Sequence, residues 1–395
     1  FMRYYIFLLG FVLFSCASKP QPESTNQTTS VSYKVSEENV IVFTQNWHGH
    51  LSTDTHFGIQ KFHTSPTPRV GGVAIFLGAL ASKFICVSGS THLTPTSCFN
   101  GLLWPVLIAA LPAFLFGLLE DLTKRVSVRT RLLATMCSGL IGWMLTGYSI
   151  TDVQLPILDM LLGYTFFSVL FTAFAVGGVA NAINIIDGFN GLASGGVIII
   201  SAALGCIALQ FGDGDVARLS LLICSVTLGF MLVNWPLGKI FLGDGGAYFL
   251  GFCVAWLAVY LLARHESLSA WSPMLVCGYP ILEVGFSIYR RKKRRMDPGQ
   301  PDRLHLHSLI KRRLARRIAP GSSRLIRNSL TGALMWVAAF VPAILAVQFP
   351  TNSIYQIAAF LLCALLYSSV YARITQFKWC IKPATMQPSP KLLVE

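Results

Sequence analysis

Long runs of apolar residues, separated by short polar segments, fill most of the chain from residue 70 onward. Each run is long enough for a helix that crosses a bilayer, with allowance for tilt. The predicted helices span 70–87, 101–119, 132–149, 160–182, 192–211, 217–235, 244–263, 271–290, 329–349 and 353–373. The runs are continuous rather than alternating, so they exclude a transmembrane barrel. The pattern predicts an all-α, polytopic integral membrane protein with about ten to eleven transmembrane helices.

The composition also favours a membrane protein. Of the 395 residues, 53% are hydrophobic and 12% are charged, and the mean hydropathy is +0.59. A soluble domain carries about 25% charged residues, so the composition excludes that class. The ten cysteines are scattered, mostly within apolar runs, and no C-x-x-C pair occurs. This distribution indicates buried thiols rather than a metal site.

The net charge of +14 is concentrated in one segment. Residues 290–327 hold 14 Lys and Arg but only two acids. A basic block beside a membrane helix indicates cytoplasmic placement and contact with anionic lipid headgroups or an anionic substrate, so we expect no nucleic-acid partner. The distribution of Lys and Arg predicts which polar loops share the cytoplasmic side. These loops are 120–131, 183–191, 236–243 and 290–328.

The N-terminal segment does not fit this pattern. Residues 2–16 form a short apolar run typical of a secretory signal, and residues 17–46 are polar. A signal would export the following residues, whereas the orientation of the later helices requires them in the cytoplasm. Residues 1–46 are therefore open to three interpretations: a signal, a short first helix or a replaced N-terminus. The predicted domains after them are a transmembrane domain over 47–375 and a cytoplasmic tail over 376–395.

The polar stretch NAINIIDGFNGLASG, residues 181–195, interrupts the apolar helices. On a helix, Asn184 and Asp187 lie three residues apart and share one face. A carboxylate at the mouth of a membrane helix is costly unless it is paired, hydrated or bound to a cation. The neighbouring glycines let the backbone approach a ligand closely. We interpret the stretch as part of an active site, and the alternative is a polar loop between two helices.

Two further acidic positions belong to loops on the same predicted side. Glu120 and Asp121 end a helix, where negative charge opposes the helix dipole. Carboxylate oxygens suit Mg²⁺, and Asp121 is also a candidate base. Asp244 lies between Gly243 and Gly245 at a helix start, which suits backbone approach to a phosphate. The alternative for Asp244 is an ordinary N-cap, where Asp is common.

Basic residues in two segments are candidates for phosphate binding. Lys61 precedes the PTPRVGG segment, and Arg69 lies within it. Lys61 alone is equally well explained as a positive-inside anchor. Arg303, His305 and His307 cluster in the most basic loop. In an extended segment the two histidines share a face, whereas the i, i+4 spacing of a helical zinc pair is not present. Arg and His in this arrangement suit a diphosphate.

Together and in this order, these motifs resemble the polyprenyl-phosphate N-acetylhexosamine-1-phosphate transferase superfamily, from about residue 54 to 375. The superfamily includes UDP-GlcNAc:undecaprenyl-phosphate transferases and phospho-MurNAc-pentapeptide translocase. Glu120-Asp121 stands at the acidic pair of the family, and Asn184 and Asp187 match its N-x-x-D-G motif. Asp244 matches the G-D-x-G aspartate, a Mg²⁺ ligand in the family. His305 and His307 match the H-x-H loop, which contacts the nucleotide-sugar diphosphate.

The resemblance implies an enzyme that transfers a sugar 1-phosphate, with an N-acetylhexosamine favoured, from a UDP-sugar to undecaprenyl phosphate with release of UMP. It implies catalytic roles for Asp121, Asp187, Glu120 and Asn184, and a metal site at Asp244 and Asp121 for Mg²⁺, with Mn²⁺ as an alternative. The implied substrate-binding residues are Lys61, Arg69, Asn190, Arg303, His305 and His307. The implied setting is the bacterial inner membrane with a cytoplasmic active site, and a homodimer is a further option.

Several features depart from the family pattern. Glu120 replaces the usual Asp, and Ser308 stands where many relatives have a third His. No P-x-H-H-H run is present, so we favour a donor of the O-antigen, enterobacterial-antigen or teichoic-acid type over the alternative of the pentapeptide translocase. A secondary transporter is a rival function, but no internal repeat is visible. A scaffold protein would not explain the acidic motifs, and a CDP-alcohol transferase would need an Ala-Arg after Asp187-Gly188 that is missing.

Overall fold

The computed structural model of the protein describes residues 53–54, 67–88, 101–295, 302 and 304–376. The predictions for residues 1–46 and for the tail beyond residue 376 lie outside these ranges. Within them the chain is almost entirely helical, which confirms the all-α prediction. The one sheet among the described residues is an antiparallel pair of two-residue strands, β1 (Thr53–Asp54) and β2 (Thr67–Pro68).

The described helices follow the predicted apolar runs. They are α1 (Gly71–Ser88), α2 (Leu103–Ala109), α3 (Leu111–Thr123), α4 (Val128–Thr146), α5 (Pro156–Leu162), α6 (Thr165–Ile186), α7 (Leu192–Gln210), α8 (Gly214–Asn234), α9 (Gly243–Arg264), α10 (Trp271–Val276), α11 (Gly278–Lys293), α12 (Leu306–Ile310), α13 (Arg316–Ile318), α14 (Arg324–Gln348) and α15 (Ser353–Thr375). A π-helical segment, Lys311–Ala315, joins α12 to α13.

Six of the described helices are long and apolar enough to cross a membrane: α6, α7, α8, α9, α14 and α15. The pair α2 and α3 makes a seventh span if the 42° bend between them is accepted within one crossing. The predicted count of ten to eleven transmembrane helices is therefore not confirmed, although a polytopic membrane protein is. Two of the predicted single helices, 101–119 and 271–290, are each broken into two.

Prolines explain both breaks. Pro112 lies at the start of α3, and Pro280 lies in the first turn of α11. A proline lacks the backbone N–H, and its ring clashes with the carbonyl four residues earlier. New helices therefore begin at Leu111 and Gly278. Each proline then lies in the first turn of its helix, where a proline is tolerated.

Helix α9 is the centre of the bundle. Of its most apolar 18 residues, 83% are buried, against 28% for α15 at the periphery. A helix that is apolar on all sides is buried on all sides, and α9 packs against α1, α3, α6 and α7. Gly251 of α9 lies so close to Ala180 of α6 that a Cβ would come within 2.6 Å of the Ala180 Cα atom. The N-terminus of α9 is thereby held among several other helix ends.

Helix α4 begins four residues earlier than its apolar pattern predicts. Ser127 has an extended backbone, and its hydroxyl accepts a hydrogen bond from the Thr130 N–H at 3.1 Å. This is the geometry of an N-cap, which satisfies a donor of the first turn. The earlier start places Arg131 on the helix rather than in the preceding loop, and from there its side chain reaches the site described next.

Candidate active site

The segment Gly243-Asp244-Gly245-Gly246 at the start of α9 organises the site. Gly243 has a φ of +75°, and a Cβ on it would lie 2.5 Å from the Asp121 Oδ2 atom. Gly246 faces Gly72 so closely that a Cβ would fall 2.7 Å from the Gly72 Cα atom. Side chains at either position would push α3 or α1 away. These glycines therefore allow three helix ends to meet at Asp244.

The PTPRVGG segment is joined to the same loop by backbone hydrogen bonds. The N–H groups of Gly71 and Gly72 donate to the carbonyls of Phe241 and Leu242 at 3.0 and 2.9 Å. In return, the Phe241 N–H donates to the Pro68 carbonyl at 2.9 Å. These bonds fix the backbone of Arg69 beside the N-terminus of α9.

Asp121 is a buried carboxylate at the end of α3. Its Oδ2 atom accepts a hydrogen bond from the Gly245 N–H at 2.9 Å. Its Oδ1 atom lies 3.7 Å from Arg69 Nη1 and 3.9 Å from Lys124 Nζ, but it has no hydrogen-bond partner. Buried polar atoms in folded proteins nearly always have such a partner. This oxygen is therefore a candidate ligand atom for a cation.

Asp244 and Glu120 occupy different surroundings. Asp244 forms an ion pair with Arg131 of α4. Glu120 accepts a hydrogen bond from the Val126 N–H at 2.8 Å, so its carboxylate holds the loop that follows α3. The two acids of the pair therefore have different contacts: Asp121 accepts a hydrogen bond at the start of α9, and Glu120 accepts one from the loop after α3.

Asn184 and Asp187 bring the end of α6 to the same place. The Asn184 Oδ1 atom accepts a hydrogen bond at 3.3 Å from the hydroxyl of Tyr248, one turn along α9 from Asp244. Asp187 caps α6. Burial, together with the negative charges of Asp244 and Asp121, raises the pKa of Asp187 to about 7 against the opposing effect of Arg69. Three aspartates that are distant in sequence therefore share one electrostatic site.

The side chain of Asn190 contacts α14 rather than the aspartate cluster. Its Nδ2 atom donates to the Ser329 hydroxyl of α14 at 3.3 Å. Next to it, Gly191 has a φ of +74° and donates its N–H to Asn234 Oδ1 at 2.7 Å. Trp336 donates its indole N–H to the Gly191 carbonyl at 2.8 Å. The predicted substrate-binding role of Asn190 stays a prediction, since its side chain is engaged in packing the loop.

The two histidines of the H-x-H motif lie against the other side of the Asp187 turn. Their rings are stacked, with centroids 5.1 Å apart and planes 12° apart. The segment is not extended throughout, since His305 is the extended N-cap of α12 and His307 lies in its first turn. A Cβ on Gly188 would lie 3.2 Å from His307 Nε2. His307 also meets the Phe189 ring edge to face at 5.6 Å. The backbone of the turn 187–189 therefore lies between the aspartates and the histidines.

Burial changes the charge state of two groups around this turn. It lowers the pKa of His307 to about 4, so this ring is neutral near pH 7. It also lowers the pKa of Lys311, whose ammonium lies 4.9 Å from the centre of the Phe189 ring, to about 7. Several nearby arginines contribute to the second shift by like-charge repulsion. Any anion bound here would favour the charged form of both groups.

Sequence reasoning missed four residues of this region: Arg131, Tyr248, Glu283 and Lys311. Glu283 is completely buried and accepts a hydrogen bond from His305 Nδ1 at 2.9 Å. A lone acid inside a predicted apolar helix is a functional candidate by default, so this residue could have been found. Of the predicted residues, Lys61 and Arg303 lie outside the described part of the chain.

The structure therefore brings most of the described candidates together. Asp121, Asp187, Asp244, Asn184 and Arg69 meet around the N-terminus of α9, and His305 and His307 lie across the Asp187 turn from them. Among the described residues, no three His, Cys, Asp or Glu side chains form a group at metal-coordinating positions. Any divalent ion here would complete its coordination with water or substrate oxygens, which is the usual habit of Mg²⁺.

Comparison with known proteins bears on the identity of this arrangement. Residues 103–262 match the model of glycosyl transferase family 4. The chain is 27% identical over 319 residues to a probable undecaprenyl-phosphate N-acetylglucosaminyl 1-phosphate transferase of Bacillus subtilis, a match that covers 80% of this chain and 82% of the relative. It is 30% identical over 272 residues to a decaprenyl-phosphate N-acetylglucosaminephosphotransferase of Mycobacterium leprae, which covers 62% of this chain and 66% of that relative.

A third relative has a different substrate name. The chain is 28% identical over 199 residues to a phospho-N-acetylmuramoyl-pentapeptide-transferase of Clostridium perfringens, with 49% of this chain and 61% of the relative covered. The matched segment of the family model runs from α2 to α9 and contains Asp121, Asn184, Asp187 and Asp244. Together with the long apolar helices, the bacterial relatives support a bacterial membrane protein. The chain therefore belongs to the polyprenyl-phosphate N-acetylhexosamine-1-phosphate transferase superfamily.

Proposed function

We propose that the protein transfers an N-acetylhexosamine 1-phosphate from a UDP-sugar to undecaprenyl phosphate at the cytoplasmic face of the bacterial inner membrane. The products are undecaprenyl-diphosphate-sugar and UMP, and the reaction would be the first membrane step of a cell-surface polysaccharide pathway. The observation that carries the proposal is the meeting of Asp121, Asp187 and Asp244, from three helix ends, beside the stacked His305–His307 pair.

The electrostatics of the aspartates fit a divalent cation. Asp121 has a buried oxygen without a hydrogen-bond partner, and the neighbouring carboxylates raise the pKa of Asp187. Mg²⁺ commonly binds through one or two carboxylates together with substrate phosphates. We assign Asp121 and Asp244 as the residues that would hold Mg²⁺, or Mn²⁺ in its place; Arg131 now pairs with Asp244. When bound, the ion would neutralise the diphosphate and stabilise the charge that develops in the transition state.

The residues of the chain would orient the two phosphates. In the reaction, an oxygen of the lipid phosphate attacks the β-phosphorus of the UDP-sugar, and the bond from that phosphorus to the oxygen of UMP breaks. The lipid phosphate is already largely ionised near neutral pH, so a strong base is not required, and Asp121 acts as a ligand in preference to a base. Arg69, Arg131 and the histidines supply positive charge or donors for the diphosphate and for the departing UMP.

The comparisons favour an N-acetylhexosamine over the pentapeptide-bearing donor. The relative named for an N-acetylglucosaminyl 1-phosphate matches 80% of this chain, against 49% for the relative named for the pentapeptide. Ser308 and the preceding H-x-H also differ from the P-x-H-H-H run associated with the pentapeptide enzymes. We therefore propose UDP-N-acetylglucosamine as the first donor to test.

The test is a transfer assay with the purified full chain in lipid nanodiscs. The donors are radiolabelled UDP-N-acetylglucosamine, UDP-N-acetylgalactosamine and UDP-MurNAc-pentapeptide, each with undecaprenyl phosphate and with Mg²⁺ or EDTA. We expect label in the lipid fraction with one N-acetylhexosamine donor and no label in EDTA. Transfer from the pentapeptide donor alone would overturn the donor assignment, and equal transfer in EDTA would overturn the metal assignment.

A further inference from the structure

Glu283 is a fully buried acid that the transfer reaction does not explain. It lies on α11, and its Oε1 atom accepts two hydrogen bonds. One comes from His305 Nδ1 at 2.9 Å and the other from the Leu306 N–H at 3.1 Å. Burial of a carboxylate is costly unless it is paired and hydrogen-bonded. Both groups that donate to Oε1 belong to the H-x-H segment, so this oxygen is committed to that segment.

The contact decides which nitrogen of His305 faces a ligand. Since Oε1 also accepts the backbone N–H of Leu306, it acts as an acceptor toward Nδ1, and Nδ1 carries the hydrogen. Nε2 is then the ring nitrogen left to meet a ligand. If Nε2 donates to a phosphate oxygen, the ring carries positive charge, and the carboxylate of Glu283 stabilises that form.

The same face of α11 also orients the second histidine. Tyr279 precedes Glu283 by four residues, so both side chains lie on one face of the helix. The Tyr279 hydroxyl lies 3.5 Å from His307 Nδ1. The imidazole rings of His305 and His307 stack on each other. One helix face thus holds both imidazoles in a fixed mutual orientation beside the Asp187 turn.

A second anchor holds the loop without touching Nδ1 of either ring. Asp302 accepts hydrogen bonds from the Leu304 N–H at 2.9 Å and from the Ser287 hydroxyl at 3.0 Å, and it pairs with Arg290. Its Oδ2 atom lies 4.0 Å from His305 Nε2. Fastening of the loop to α11 is therefore provided independently of Glu283, which leaves orientation of the ring as the distinctive contribution of Glu283.

We propose that Glu283 is a positioning residue that orients His305, with His307 stacked on it, to bind the diphosphate of the UDP-sugar. The inference rests on the proposed function, because it concerns the donor of that reaction. Glu283 itself does not touch the substrate. Its effect reaches the donor only through the imidazole, in the way that an outer carboxylate orients a histidine that ligates a metal.

The test is a double-mutant cycle with Glu283→Gln, His305→Ala and the combined variant, in nanodiscs. We expect Glu283→Gln to raise the KM for the UDP-sugar about tenfold, the lower end of the range for lost orienting partners, with a smaller change in kcat and none in the KM for undecaprenyl phosphate. In the His305→Ala background, Glu283→Gln should have no further effect on KM. Glu283→Asp, which keeps the charge, should recover part of the loss.

The control is Ser287→Ala, one turn further along α11, which removes a contact of the same loop but leaves both histidines untouched. We expect its KM for the UDP-sugar to equal that of the wild type. Multiplicative effects of Glu283→Gln and His305→Ala, or an equal rise in KM for Ser287→Ala, would overturn the positioning role.

Two measurements keep the outcome decisive. If Glu283→Gln fails to fold, Glu283→Asp in the wild-type and His305→Ala backgrounds supplies the cycle. Binding of the UDP-sugar by calorimetry repeats the comparison without turnover. Absence of transfer by the wild-type protein from every donor would count against the proposed function, whereas wild-type transfer with independent effects of the two residues would remove only the inference about Glu283.

Discussion

The two ends of the α8–α9 pair carry acidic clusters of opposite character. At one end, between α7 and α8, the Asp213 carboxylate accepts hydrogen bonds from Arg264 Nε at 2.6 Å and from the Val216 N–H at 3.1 Å, and it lies 3.0 Å from His265 Nε2. Asp215 beside it pairs with Arg218. At the other end, the aspartates around Asp244 include an unpartnered oxygen on Asp121. Both carboxylate oxygens of Asp213 accept hydrogen bonds from the protein, whereas Oδ1 of Asp121 accepts none.

The pKa values of the two clusters differ in direction. Although burial alone would raise it, hydrogen bonds from Arg264, Val216 and His265 hold the pKa of Asp213 below its ordinary value. Burial and two like charges raise the pKa of Asp187 to about 7. Donors that hydrogen-bond an acid lower the free energy of its ionised form, whereas burial beside other carboxylates raises that free energy, and an added cation would reduce it again. The comparison teaches that partners, rather than acidity or burial alone, distinguish a binding site from a structural one.

The largest expected effect comes from neutralising one acid at each end. Asp244→Asn should lower the rate of transfer about 10²–10³-fold, the scale for loss of a group that stabilises transition-state charge. Asp213→Asn should keep the rate within about threefold but lower the Tm. Loss of hydrogen bonds to a buried acid lowers the free energy of unfolding by about 1–3 kcal/mol. Transfer rates and thermal unfolding in detergent measure both. Equal rate losses in the two variants would contradict the comparison.

A smaller effect is expected from a matched pair of glycines. Gly243 and Gly212 both have positive φ, +75° and +70°, so alanine strains the backbone similarly at each. A Cβ at Gly243 would lie 2.5 Å from Asp121 Oδ2, whereas nothing lies within 4 Å of a Cβ at Gly212. Gly243→Ala should therefore lower the transfer rate about tenfold or more through a displaced carboxylate. Gly212→Ala should change only the Tm; similar rates for the two would show that Asp121 tolerates displacement.

The smallest expected effect is on the pH dependence of stability. An acid with a raised pKa stabilises the folded state below its unfolded value of about 3.9, and this contribution is lost as the pH rises through about 7. Asp187→Asn should therefore raise the Tm at pH 8 in EDTA by roughly 2–4 °C and leave the Tm at pH 4 unchanged. Asp213 has the opposite sign, because the stability that it contributes is lost as the pH falls below about 4.

The scan that tests this contrast runs from pH 4 to 8 in EDTA, with wild type, Asp187→Asn and Asp213→Asn. We expect the difference in Tm between wild type and Asp187→Asn to grow toward pH 8, and that for Asp213→Asn to persist there with the reverse sign. If the difference in Tm for Asp187→Asn does not depend on pH, burial and the neighbouring charges do not destabilise the ionised form of Asp187.

Much of the local structure followed from the apolar pattern. The bounds of α7 and α15 agree with the predicted helices to within two residues, because both depend on continuous apolar runs. The broken helices at Pro112 and Pro280 and the early start of α4 at Ser127 were missed, although proline chemistry and capping could have predicted them. The apolar pattern reports burial and length, and it is insensitive to single residues that end or start a helix.

The sequence by itself determined the class of protein and the side chains of the site. Apolar run length sets membrane helices, and motifs such as those around Asp187 and Asp244 bring polar groups to helix ends. The tertiary structure alone decided their partners: Asp244 meets Arg131 from 113 residues away, and Glu283 meets His305 across a basic loop. Such pairings depend on how helices pack around α9, and packing is a property of many distant residues at once. For this reason the identity of the acids was readable, whereas the balance of charge around each of them was not.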